Sequence, residues 1–143
     1  MSLESFPAYS GYRGGPIGAA YNEAAFRYFL AADQRRVYRS QRSIVLVLLS
    51  IRQSPGRNAP LTEDMAAALF NGLASSVREV DFVGWYQHGR VAGAVLPQGA
   101  DPSIDLRAIV ARRIVASLQK SLPAVHARRL HVRVVRLGRM GRC

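Results

Sequence analysis

Acidic residues are scarce in this chain. Its 143 residues hold nine Asp and Glu against 20 Lys and Arg, a formal net charge of +11. Such an excess fits a partner that carries phosphate, whether nucleic acid, a nucleotide or an anionic membrane surface. Lysine is scarcer still: Lys120 is the only one, so the positive charge is arginine, spread along the chain instead of gathered in a block. A generally arginine-rich composition explains it as readily as a dedicated anion surface does. Cysteine is limited to Cys143, which excludes an internal disulfide and fits a reducing compartment. The most apolar run, Ile44 to Ile51, is far shorter than the ~20 residues that span a bilayer. The opening "MSLESFPAYSGYRGGPIGAA" has neither the basic start nor the apolar core of a secretory signal. A cytoplasmic protein without membrane insertion is expected.

What is present suffices for one domain with a core of its own. Residues 1–20, rich in Gly, Ser, Pro and Tyr and without periodicity, read as an arm that is flexible or docked on the domain; residues 139–143 read as a basic tail. Between them, Asn22 is placed to cap a helix whose apolar stripe is Phe26, Phe29, Leu30 and Val37, ending near Ser40. "SIVLVLLSI" has the continuous apolar, β-branched character of a central strand covered on both faces. "RQSPGRNAP" reads as a loop. Thr62 caps a second helix, with Glu63 and Asp64 in its first turn and Met65, Leu69, Leu73 and Val77 on one face. Two short strands follow, Asp81 to Tyr86 and Val91 to Leu96. Asp101-Pro102 opens a third helix with Leu106, Ile109, Val110, Ile114, Leu118 and Leu122 buried. "RLHVRVVRLG" ends the domain as a strand. After the first helix the order is βαββαβ. Its natural solution is an α+β fold of ferredoxin-like type, a mostly antiparallel sheet with both later helices on one face and the extra N-terminal helix added.

Several stretches in this order resemble GGDEF domains, the family whose active members condense two GTP molecules into cyclic di-GMP. "NEAAFRYFLAADQRRVYRSQRSIVLVLLSI" resembles the opening helix and first strand of the family, and "REVDFVGWYQHGRVAGAVLP" its signature hairpin with the lead-in. "ARRI" at 111–114 resembles the family's Ala-Glu-Arg-Ile segment. The resemblance covers Asn22 to Gly138 and implies a bacterial signalling role, in a surface or exopolysaccharide pathway. It also shows departures. Ser50 stands where the first strand would supply an acid for divalent metal, followed by Ile51 and Arg52. The Gly-Gly-Asp/Glu-Glu-Phe tip corresponds to Gln87, His88, Gly89, Arg90 and Val91 counted from Asp81, or to His88 through Ala92 counted back from Pro97. Neither register has a carboxylate, and Mg²⁺ on a triphosphate needs oxygen ligands of that kind. The lead-in Asp-x-Leu-Thr-Gly-Leu corresponds to "PIGAAYN". Diguanylate cyclase activity is therefore expected to be lost, with no catalytic residue, no metal site and no cofactor.

Arg78-Glu79-Val80-Asp81 matches the Arg-x-x-Asp motif through which the family binds cyclic di-GMP at an inhibitory site, and Arg113 aligns with an arginine that completes it. Guanidinium groups pair bidentately with phosphate or the acceptor edge of guanine, while the carboxylate accepts from guanine N–H groups. The bland alternative is a local ion pair or cap between Arg78 and Asp81. Cyclic di-GMP is thus a candidate regulatory ligand, and a protein partner or homodimer is expected, with a nucleotide-independent interaction or dimerisation module as the alternative reading. Nucleic acid is a third, through Arg128, Arg129, Arg133, Arg136, Arg139 and Arg142. On the final strand, Leu130, Val132 and Val134 should pack inward, with His131, Arg133 and Val135 on the other face. His88, His126 and His131 lack neighbours at metal-ligand spacing, and Trp85 and Tyr86 read as core aromatics.

Overall fold

The strand at 43–54 organises the molecule, because its side chains are buried on both faces from Ser43 to Ile51. In the computed structural model, which describes residues 8–9, 20–40, 43–76, 82–98 and 106–138, the elements run β1 (Ala8–Tyr9), β2 (Ala20–Tyr21), α1 (Glu23–Ser40), β3 (Ser43–Ser54), β4 (Arg57–Asn58), α2 (Glu63–Ser76), β5 (Phe82–Gln87), β6 (Val91–Gln98), α3 (Leu106–Ser121), α4 (Ala124–Ala127) and β7 (Leu130–Gly138). β3 lies between β6 and β7 and pairs antiparallel with both. β5 pairs antiparallel with β6, so the core order is β5-β6-β3-β7 and the expected βαββαβ arrangement is present. β2 adds parallel to the outer side of β5 through Tyr21 and Gly84, and β1 pairs antiparallel with β2.

Alternation along the strands divides the core in two. Val45, Val47, Leu49 and Ile51 of β3, Val83 and Trp85 of β5, and Ala92, Ala94 and Leu96 of β6 face α2 and α3. Leu69, Phe70 and Leu73 of α2 and Val110, Ile114, Leu118 and Leu122 of α3 and its exit complete that layer. Ile109, expected in the same stripe, is exposed. The buried residues of α3 recur every four positions, and Ile109 is turned away from that line by one helical step. Phe26, Leu30 and Val37 of α1 cover the opposite face, on Ile44, Leu46 and Leu48 of β3 and Val91 and Val95 of β6. Burying both faces of β3 is what its unbroken apolar run requires.

Both expected caps form. The Ala25 N–H donates to Asn22 Oδ1 at 2.9 Å, and the Met65 N–H to Thr62 Oγ1 at 3.2 Å. Buried Asp33 in the middle of α1 is paired with Arg36, one turn on. The stretch expected as a loop after Ile51 is instead a hairpin: β3 runs on to Ser54, turns at Pro55-Gly56 and returns as β4, with Arg52 opposite Asn58. Pro-Gly is turn chemistry, and the flanking polar residues still have backbone groups that gain by pairing.

Candidate functional site

On the α1 side of β3 the apolar residues stop at Leu48, and Ser50 and Arg52 continue the same row. The register with β7 sets His131 opposite Ser50 and Arg133 opposite Leu48, while the register with β4 sets Asn58 opposite Arg52. With Tyr86 and Gln87 of β5 and Val91 of β6, these residues line a cleft of about 190 Å³. Its floor is apolar, from Leu48 and Val91, and its charged lining residues are arginines. Burial, with the Arg52 and Arg133 guanidiniums beside it, holds the His131 imidazole below its ordinary pKa. Nε of Arg52 and Oδ1 of Asn58 are buried without a hydrogen-bond partner among the described residues.

The β5–β6 tip forms one wall. Tyr86 has no partner residue on β6, because the register shifts between the pairs Trp85–Ala92 and Gln87–Val91. This β-bulge gives β5 one residue more than β6, so counting from the two ends of the hairpin gives registers one apart. The turn is His88-Gly89-Arg90, closed by the Arg90 N–H donating to the Gln87 carbonyl at 3.0 Å. Gly89 has φ of 72°, a left-handed backbone that a Cβ disfavours. The tip is held from two directions. Glu23, at the start of α1, accepts from the His88 N–H at 2.7 Å, and Arg27 Nε donates to the Tyr86 carbonyl at 2.9 Å with its guanidinium 4.2 Å above the Tyr86 ring. From the other side, the Leu61 N–H, between β4 and α2, donates to the Gly89 carbonyl at 2.7 Å, and Arg90 Nη1 donates to the carbonyl of Asn58 in β4 at 2.8 Å.

The residues singled out in the sequence are therefore distributed as follows. Ser50 is buried in the cleft, and Gln87 and Val91 line it; His88 and Arg90 are exposed on the turn with Gly89 between them. Arg113 is exposed on α3, and Arg78 and Asp81 lie outside the described residues. Trp85 is fully buried, edge-on to Phe70 at 5.2 Å between ring centroids, while Tyr86 is half-buried. His131, Arg133 and Val135 lie on the β7 face opposite Leu130, Val132 and Val134, as alternation predicts. What the sequence did not bring together is Arg52, Asn58, His131 and Arg133. The signal was the polar continuation of the even-numbered row of β3 and the basic alternate row of β7, joined only by the register.

A divalent cation bound to a triphosphate does not fit these donors. The cleft offers two guanidiniums, an imidazole, the hydroxyls of Ser50 and Tyr86 and two amides, with no carboxylate among the described lining residues. Among the described residues no three of His, Cys, Asp or Glu converge as metal ligands, and no helix is long and apolar enough to cross a membrane.

No protein-family model and no curated protein sequence matches the chain. Solved structures do. The FimX GGDEF domain of Pseudomonas aeruginosa superposes with a TM-score of 0.62 at 14% identity, over 92% of this chain and 82% of that one. A DGC protein of Thermotoga maritima gives 0.61 at 13% identity, over 85% and 83%. The GGDEF domain of TpbB (YfiN) of Pseudomonas aeruginosa gives 0.59 at 15% identity, over 87% and 75%. With the βαββαβ order, the helix across the second face of the sheet and the hairpin at its edge, these likenesses establish that the chain has the fold of GGDEF domains.

Proposed function

We propose that this is a regulatory domain of bacterial cyclic di-GMP signalling that does not condense nucleotides and acts as a receptor for the dinucleotide. One observation carries the non-catalytic half: the cleft between the end of β3 and the hairpin tip is lined by Ser50, Arg52, Gln87, His131 and Arg133, with no carboxylate among its described lining residues. Metal-assisted attack on a triphosphate needs a cation at that place, and guanidiniums repel one. The receptor half rests on Arg78 and Asp81 in the Arg-x-x-Asp pattern and on Arg113. The exposure of Arg113 on α3 leaves its guanidinium free to reach a ligand.

Titration calorimetry with cyclic di-GMP, beside a product assay with GTP and Mg²⁺, tests both halves. Binding of the dinucleotide that is lost in Arg78→Ala and Asp81→Ala, with no product from GTP, is the expected result. Affinity unchanged in both variants removes the site, and cyclic di-GMP made from GTP removes the non-catalytic reading. A protein-contact role is the second reading. It is favoured by Tyr28 and Tyr38, 44% and 60% exposed on α1. The diguanylate cyclase SiaD, crystallised in complex with its activator SiaC, is similar in fold to this chain, with a TM-score of 0.56 over 85% of it and 48% of SiaD. Specific copurification of a protein in the absence of nucleotide would support that role.

A further inference from the structure

The cleft that lacks metal ligands has a positive chemistry of its own. Arg52 and Arg133 reach it from adjacent strands, and neither is in an ion pair among the described residues. Glu23, the acid at the hairpin tip, is already engaged by the His88 N–H and by Arg27. One N–H donor in the wall, Arg52 Nε, is buried without a hydrogen-bond partner among the described residues, a state that folded proteins seldom leave unexplained and that an oxyanion acceptor would relieve. Ser50, with a hydroxyl that can donate, is 4% exposed at the base, and apolar Leu48 and Val91 back the site. Guanidiniums on a low-dielectric floor bind tetrahedral oxyanions well, because their N–H groups match paired oxygens and water does not screen them fully. The volume, about 190 Å³, is below the ~300 Å³ at which pockets for whole drug-sized ligands begin.

We propose that this cleft binds a phosphate dianion, free or as the terminal phosphoryl group of a small ligand, directly and without a metal, between Arg52 and Arg133 with Ser50, Gln87 and His131 as hydrogen-bond donors. The proposal shares with the preceding section only the lack of carboxylates among the described residues that line the cleft; it is independent of Arg78, Asp81 and Arg113. A bound dianion also reverses the local balance at His131. The imidazole shares the cleft with Arg52 of β3, Arg133 of β7 and Tyr86 of β5, and it lies by the β4 end where Arg90 bonds Asn58. An anion among these groups favours its protonated form.

The test uses the full chain with inorganic phosphate and pyrophosphate in EDTA at low ionic strength, read by calorimetry and by NMR of the His131 ring. Saturable binding is expected. Arg52→Gln or Arg133→Gln should weaken it roughly tenfold or more, and Arg39→Gln on α1 should leave it unchanged. The His131 titration should move to higher pH when phosphate is present. Failure of both anions to saturate, equal loss in Arg39→Gln, or a requirement for Mg²⁺ would each overturn the proposal. Arg133 is exposed, so its variant decides the matter if Arg52→Gln does not fold. Phosphate binding without cyclic di-GMP binding leaves this site standing and removes the receptor reading; the converse removes this site alone.

Discussion

Gly84→Ala should destabilise the domain, and the structure says by what route. Gly84 of β5 and Gly93 of β6 face each other in register, and the ring of Phe26 from α1 lies on the flat patch they leave. A methyl group at position 84 would sit 2.6 Å from the Tyr21 carbonyl oxygen and 2.9 Å from Phe26 Cδ1. The carbonyl belongs to β2, which is paired to β5 at this very residue, so it yields only if the two strands part. Such overpacking costs about 1–3 kcal/mol. Replacing Gly with Ala in a strand returns about 0.5–1 kcal/mol through the unfolded chain, which leaves a net loss centred on about 1 kcal/mol and no greater than about 2.5 kcal/mol. At position 93 the obstacles are side-chain atoms, Phe26 Cζ at 2.8 Å and Cε2 at 3.1 Å. Phe26→Leu should therefore rescue Gly93→Ala in part, with a coupling of about 1 kcal/mol, and should rescue Gly84→Ala less. Urea unfolding followed by the fluorescence of Trp85, the single tryptophan, measures all of these. A Gly84→Ala protein as stable as the parent, or equal rescue of both glycines by Phe26→Leu, would refute the reasoning.

Asn22→Ala removes the cap of α1 and should cost about 1 kcal/mol in the same unfolding assay. Glu23→Gln weakens the acceptor of the His88 N–H, so hydrogen exchange at His88 should quicken while amides in the centre of β3 keep their protection. The depressed pKa of His131 makes the unfolded chain bind more protons between the folded value and the ordinary 6.5. Stability should rise with pH across that window and level off above it, and His131→Gln should flatten the dependence in urea midpoints taken from about pH 5 to 8. Ser50→Asp alone should not create a metal site. Its carboxylate would pair with Arg52 or Arg133, so isothermal titration should show no Mg²⁺ binding and a weakened affinity for phosphate.

The parts of the fold that the sequence made legible are those whose signals are local. The stripe of α1, the cap residues Asn22 and Thr62, the unbroken run of β3 and the alternation of β7 each dictate an element without reference to a distant residue. The hairpin at Pro55-Gly56 was missed because its strands carry polar side chains, so apolar periodicity is silent and only backbone pairing reveals them. Ile109 was misplaced because an apolar residue one step from the buried line of a helix looks like part of it. The cleft was legible in halves. The departure from acid at Ser50 and Arg52 and the basic row at His131 and Arg133 were each visible, but a register between strands about 80 residues apart brings them together. The bulge at Tyr86 left two possible counts through the hairpin, which only pairing resolves.

The two ends of the sheet are treated differently. At one end β2 meets β5 through the single pair Tyr21–Gly84, so that edge is covered at its middle by a segment of the same chain. At the other, β7 pairs with β3 and, among the described strands, with nothing beyond it. A nine-residue strand with an open side is a template for pairing with another copy of itself. Here that strand carries Arg133 on one face and Arg136 on the other, so two copies paired with like positions opposite would bring guanidinium against guanidinium. The arginines of β7 thereby act as a deterrent to fibril growth and sheet-to-sheet association. Neutralising them should raise the tendency of the folded chain to pair edge to edge.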